Sequence, residues 1–143
     1  MDSRNRLWIG TNDAGVLMME NGQFMRWGRA DGLESLTIRN FAEDKDGYIY
    51  IGTISGIAFI DPELKFTVDS NKQIEGSIHN LRTGADGVVY ALTREGDLAG
   101  FEKGKRVSLI SSEDNPIENV NCMLPDPENP GWFWLGDMGS SLY

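Results

Sequence analysis

The chain contains one histidine, His79, and one cysteine, Cys122. A catalytic histidine needs a hydroxyl, thiol or acidic partner in a recognisable arrangement. No such motif surrounds His79, so a structural or ligand-contact role is expected of it. A lone cysteine allows neither an intrachain disulfide nor a cysteine-based metal site. Cys122 lies in an apolar run and is expected to be a small buried hydrophobe. Asp44-Lys45-Asp46-Gly47 has the opening of a calcium loop, but Ser55 stands where the twelfth-position Glu belongs. A plain β-turn is the expectation there, and Asp114, Asp126 and Glu128 read as solvated loop charges. Gly52-Thr53-Ile54-Ser55-Gly56 is glycine-rich, yet it opens no helix and carries no lysine, so it is no phosphate loop. A turn between two strands explains its recurring glycine better. No catalytic residue, metal site or cofactor is therefore expected.

The elements that hold these residues repeat. Asn5-Arg6-Leu7-Trp8-Ile9-Gly10-Thr11 aligns with Gly47-Tyr48-Ile49-Tyr50-Ile51-Gly52-Thr53, Gly87-Val88-Val89-Tyr90-Ala91-Leu92-Thr93 and Gly131-Trp132-Phe133-Trp134-Leu135-Gly136-Asp137. The anchoring aromatics Trp8, Tyr50, Tyr90 and Trp134 are 42, 40 and 44 residues apart. That period, with short apolar runs and no amphipathic helical stretch, is the signature of a four-stranded propeller blade. Strands are expected at 38–43, 48–53, 56–61 and 65–68 in the second unit, and at 78–83, 88–93, 97–102 and 105–109 in the third. Asp46-Gly47, Asp86-Gly87 and Asn21-Gly22 supply the positive φ angles of tight hairpins. Leu7 and Ile9 point one way along their strand and Trp8 the other, and Ile49, Ile51 and Tyr50 repeat this. A strand apolar on both faces must be covered on both, and neighbouring blades would provide that cover. The four aromatics are accordingly expected to be largely buried in equivalent positions.

A second register comes from Ile38-Arg39-Asn40, Ile78-His79-Asn80 and Ile117-Glu118-Asn119, each placed at the start of a first strand. Asn119 lies fifteen residues before its aromatic, against ten for Asn40 and Asn80, and the Pro-rich stretch 125–130 would absorb the extra five. The fold expected is all-β: a β-propeller of about three and a half four-stranded antiparallel blades of an incomplete ring. It spans 1–143, with part of blade 1 at 2–37, blade 2 at 38–77, blade 3 at 78–116 and part of blade 4 at 117–143. Val16, Leu17, Trp134 and Leu135 would lack neighbours in such an arc, which predicts self-association.

Charge and composition narrow the function. The formal net charge is −9, which disfavours nucleic acid and anionic membrane surfaces. No stretch approaches the ~18 apolar residues of a membrane helix. No N-terminal secretion signal and no Asn-x-Ser/Thr acceptor occurs.

Glu43-Asp44-Lys45-Asp46-Gly47-Tyr48-Ile49-Tyr50-Ile51-Gly52-Thr53-Ile54-Ser55-Gly56-Ile57 resembles the two-component-regulator propeller repeat. Leu7-Trp8-Ile9-Gly10-Thr11 through Val16 matches its pattern more closely, and Asp31-Gly32-Leu33 resembles its linker. The match decays where Leu92 replaces the Gly and Asp137 the Thr. The resemblance implies an extracytoplasmic sensor domain, periplasmic or at the cell surface, of a membrane-bound histidine kinase or diguanylate cyclase. It also implies ligands that are often carbohydrates. The remaining blades and an output domain would then belong to the parent chain. A protein-interaction propeller, either a scaffold or the homodimerising ectodomain of such a sensor, is the alternative, and a propeller lyase or hydrolase a third.

Topology points to one face for any small-molecule site. The second-to-third-strand loops carry Asn12, Asp13, Ser55 and Arg94, and emerge beside the interblade linkers 29–37 and 70–77. Arg39, His79 and Glu118 head the inner strands near the same opening.

Overall fold

The computed structural model describes residues 1–68, 73–113 and 120–137. Thirteen strands are formed by these residues: β1 (Leu7–Gly10), β2 (Val16–Glu20), β3 (Gln23–Trp27), β4 (Ile38–Glu43), β5 (Ile49–Thr53), β6 (Gly56–Ile60), β7 (Phe66–Val68), β8 (Ile78–Thr83), β9 (Val89–Thr93), β10 (Leu98–Glu102), β11 (Lys105–Ile110), β12 (Val120–Pro125) and β13 (Phe133–Asp137). One 3-10 turn, Arg29–Asp31, interrupts them. They pair antiparallel in chain order as β1-β2-β3, β4-β5-β6-β7, β8-β9-β10-β11 and β12-β13. The fold is an all-β series of propeller blades.

The turn chemistry works as the residue types require. Asn21 and Gly22 both have positive φ, 51° and 78°, in the β2–β3 hairpin. Gly47 and Gly87 have φ of 84° and 78° between first and second strands. The motif threonine then pins the next turn: Thr53 Oγ1 donates to the Gly56 carbonyl and accepts from the Ser55 amide. Thr11 does the same with Gly15 and Ala14.

The core lies between sheets rather than within one. Ile49 and Ile51 of β5 join Val16, Met18, Trp27 and Ile38 in a first cluster, while Tyr50 turns the other way into a second with Ile78, Val89, Ala91 and Phe101. Along β9 the alternation repeats, with Val89 and Ala91 in the second cluster and Leu92 and Tyr90 in or against a third beside Val120 and Met123. Each middle strand thus serves two interfaces, as its two apolar faces demand.

An aspartate bonds the anchoring aromatic in each of the first three blades. Asp44 is buried. Its Oδ1 accepts from the amides of Asp46 and Tyr48, and its Oδ2 from the Tyr50 hydroxyl and the Lys103 amide. The Tyr50 oxygen in turn accepts from the Gly104 amide at 2.8 Å, so one carboxylate locks its own turn to the next blade. Desolvation by burial pushes the Tyr50 phenol far up, and the Asp44 charge adds to this. In the third blade Gly84 stands in the place of Asp44, and Asp86 holds Tyr90 at 2.7 Å instead. Burial, then that hydrogen bond, raises the Tyr90 phenol to about 12. In the first blade Asp2 accepts from the Trp8 indole and the Arg6 guanidinium. Burial alone would raise the Asp2 carboxyl. The Trp8 indole, the Arg6 amide and guanidinium and the Arg4 amide together hold it below its ordinary value.

Several expectations need correction. Gly52 is not a turn residue. It lies within β5, where an added Cβ would overlap Asn40 Oδ1 on the paired first strand and come within 2.8 Å of Ile78 Cγ2 of the next blade. Gly10 faces Ile38 in the same way, with Cγ2 at 2.6 Å from such a Cβ. The turn explains Gly15 and Gly56, whose φ are 80° and 139°; close packing explains the motif glycine, against the next blade at Gly10 and against both Asn40 and the next blade at Gly52. Cys122 is exposed, on the hairpin covered from one side. Tyr50 is wholly buried, but Trp8 and Tyr90 are half-buried and Trp134 is 49% exposed. Conversely, Val16 is buried, because it faces the second blade rather than the open side.

Candidate functional site

The register of the first strands fixes what faces the axial side. In β4, pairing with β5 shifts between Ile38 and Asn40; in β8, pairing with β9 shifts between Ile78 and Asn80. The same irregularity falls between Val120 and Cys122 in β12. Three consecutive blades therefore carry a bulge at one structural position, occupied by Arg39, His79 and Asn121. All three side chains are exposed while the preceding Ile38, Ile78 and Val120 are buried. This corrects the third repeat of the Ile-x-Asn register: Val120-Asn121-Cys122 is the equivalent segment, three residues beyond Ile117-Glu118-Asn119. Cys122 lies twelve residues before Trp134, so the Pro-rich loop absorbs two extra residues, not five. Asp126 organises that loop, accepting from the Glu128 and Asn129 amides and the Asn129 side chain. Those bonds, the Glu128 amide first, lower its carboxyl.

The bulges are stitched across blades. Asn40 Nδ2 donates to the His79 carbonyl at 3.2 Å. His79 Nε2 lies 3.1 Å from both the Asn121 carbonyl and Asn121 Oδ1. A backbone carbonyl only accepts, so Nε2 carries the proton. Asn121 then offers its amide nitrogen away from the ring. No carboxylate or nucleophile touches His79 among the described residues.

A second feature lies on the same face, further from the axis. The Leu33–Ser35 linker, the β5–β6 turn and the Ile74–Gly76 linker enclose a recess of about 220 Å³. Leu33, Ile57, Ala58 and Ile74 form its apolar lining, and Glu34, Ser35, Thr53, Ser55 and Glu75 supply polar atoms. Among the described residues no arginine, lysine or aromatic ring lines it.

Of the residues expected from sequence, Ser55 lines the recess, and Arg39 and His79 share the axial row. Asn12 and Asp13 are exposed in the β1–β2 turn, where the Asn12 carbonyl accepts from Thr37 Oγ1 at 2.8 Å. Arg94 is exposed in the β9–β10 turn, its amide bonded to the Ser77 carbonyl. Neither turn joins the recess. Glu118 and Asp114 lie outside the described residues, as do residues 70–72 of the second linker. Sequence reasoning missed Glu34, Ser35 and Glu75 as individual residues, although it marked their linkers. It missed Asn121 because Ile117-Glu118-Asn119 imitates the pattern; the burial of Val120 is the signal that separates the two. Among the described residues no three His, Cys, Asp or Glu side chains converge to hold a metal.

Residues 32–55 match the family model for the two component regulator propeller. That stretch is similar to one repeat of the family. The chain's fold is similar to two solved extracellular domains from B. thetaiotaomicron, each assigned to a hybrid two component system. With BT3049 the TM-score is 0.65 at 17% identity, covering 98% of this chain and 18% of the other. With BT4673 the TM-score is 0.71 at 18% identity, covering 100% of this chain and 22% of the other. The chain thus spans about a fifth of the length of either structure. No curated protein sequence matches it.

Proposed function

We propose that this chain is part of the extracytoplasmic sensory propeller of a membrane-bound two-component signalling protein, and that it binds ligand without catalysing a reaction. The observation that carries this reading is the regulator-propeller repeat at 32–55, set in a fold shared with extracellular domains of hybrid two component systems. On this reading the parent chain supplies further blades, a membrane anchor and an output domain. The face of the interblade linkers meets the ligand. The recess suits a neutral, hydroxyl-rich molecule such as a sugar: Glu34 and the Ser35 and Ser55 hydroxyls offer hydrogen bonds to sugar hydroxyls, and Leu33, Ile57 and Ile74 pack against C–H faces. Against catalysis stands His79, whose Nε2 meets only the oxygens of Asn121 among the described residues.

The test uses the full-length parent. Its output activity is measured against a panel of neutral oligosaccharides, in the wild type and in Glu34→Gln and Glu75→Gln variants. A response blunted in the variants supports the reading. A parent found wholly in the cytoplasm by fractionation, or one indifferent to every small ligand, would overturn it. An interaction role has its own support in the exposed Leu124, Trp132 and Trp134 on one hairpin. Light scattering that shows a concentration-dependent complex lost in Trp132→Ser would favour that reading instead.

A further inference from the structure

We propose that the bulge residues Arg39, His79 and Asn121 form a binding site for the carboxylate of a small acidic ligand, separate from the recess and opposite to it in charge. Bulges interrupt a ladder in order to re-aim a side chain, and they gather beside functional sites. Here the interruption recurs at one position in three successive first strands. Its occupants are a guanidinium, an imidazole and an amide, all exposed. No hydrophobic need explains them, since the core contacts at this level are made by the neighbouring Ile38, Ile78 and Val120.

The donors are arranged rather than scattered. Asn40 fixes the His79 backbone from the preceding blade, and Asn121 fixes the His79 ring from the following one. With Oδ1 on the ring, the Asn121 amide nitrogen has no partner among the described residues and remains available as a donor. Arg39 is paired with no acidic side chain among the described residues, in a chain whose acidic residues outnumber its basic ones 22 to 13. A planar guanidinium left free in the same row of inner strands as this amide suits a planar carboxylate, which accepts two parallel N–H bonds. The field of the whole chain repels anions, so the site requires the direct contacts of these donors and selects a compact ligand over a polyanion.

The sole histidine makes the test direct, because the chain has one imidazole signal in a proton–carbon NMR spectrum. The probe is glucuronate, with glucose at equal ionic strength as its neutral counterpart. Glucuronate should shift the His79 resonance saturably, and glucose should not. Arg39→Gln should weaken the binding by about tenfold or more, the loss expected for a charge-assisted hydrogen bond. Asn121→Asp, which sets a carboxylate where the amide stood, should abolish it. Arg94→Gln, on a different turn, should leave it unchanged. No saturable shift, an equal shift with glucose, or a response that survives both Arg39→Gln and Asn121→Asp overturns the proposal. Each result is read on this chain alone, so it stands whether or not the parent signals.

Discussion

Tyr50 and Trp134 each stand second in the second strand of a blade, and each is paired across to a first strand, Tyr50 with Ala42 and Trp134 with Leu124. Their fates differ. Tyr50 is wholly buried among Ile78, Val89 and Phe101 of the next blade, and its hydroxyl bridges Asp44 and Gly104. Trp134 is 49% exposed beside Leu124 at 61% and Trp132 at 71%. The equivalents of those last two in the second blade, Ala42 and Tyr48, pack against the second cluster. The same register position is thus core in one blade and surface in another. In a propeller, burial belongs to the pair of blades, not to the residue, so stability is a sum over neighbours.

The strongest way to break the comparison is truncation at both positions. Tyr50→Ala should destabilise by about 3–5 kcal/mol, as large buried aromatics do, and Trp134→Ala by well under about 1 kcal/mol. Urea unfolding of the two variants measures both, and equal losses would refute the account. Gly52→Ala should cost roughly 1–3 kcal/mol by overpacking against Asn40 and Ile78, while the same change at Gly22, whose Cβ would meet nothing within 4 Å, should be limited to the strain of its positive φ. Tyr50→Phe keeps the ring and removes the bridge. It should cost about 1–3 kcal/mol by leaving the buried Gly104 amide without its acceptor.

Smaller effects follow from titration. Asp2 is held below its ordinary value in the folded chain. Its stabilisation is present above the ordinary carboxyl value of 3.8 and is lost as pH falls through the lowered folded value. Tyr90 is raised from 10.0 to about 12, so its contribution is full below pH 10 and lost as pH rises through 12. Absorbance of the phenolate should show Tyr50 and Tyr90 ionising late, and Asp86→Asn should bring Tyr90 forward.

The repeat made most of this legible. The aromatic anchors and the Gly-Thr steps recur because every blade solves the same packing problem, so strand order and hairpin turns could be read from four aligned segments. What the sequence concealed is what depends on the adjacent blade. Gly52 is kept small by Asn40 across the ladder and by Ile78 of the next blade, and nothing local signals the second contact, twenty-six residues away. The true partner of Arg39 and His79, Asn121, was hidden by a nearby imitation of its pattern. The recess is built from two linkers of unremarkable composition, which only the fold brings to opposite sides of the β5–β6 turn.

Amide hydrogen exchange across the whole chain tests the central claim most directly, because it reads every blade at once. If burial is shared between neighbours, β5 and β9, each covered on two sides, should hold their protons longest. The β12–β13 hairpin should exchange through local opening, faster by orders of magnitude. Equal protection in β5 and β13 would mean that each blade carries its own stability, and the account of paired blades would be wrong.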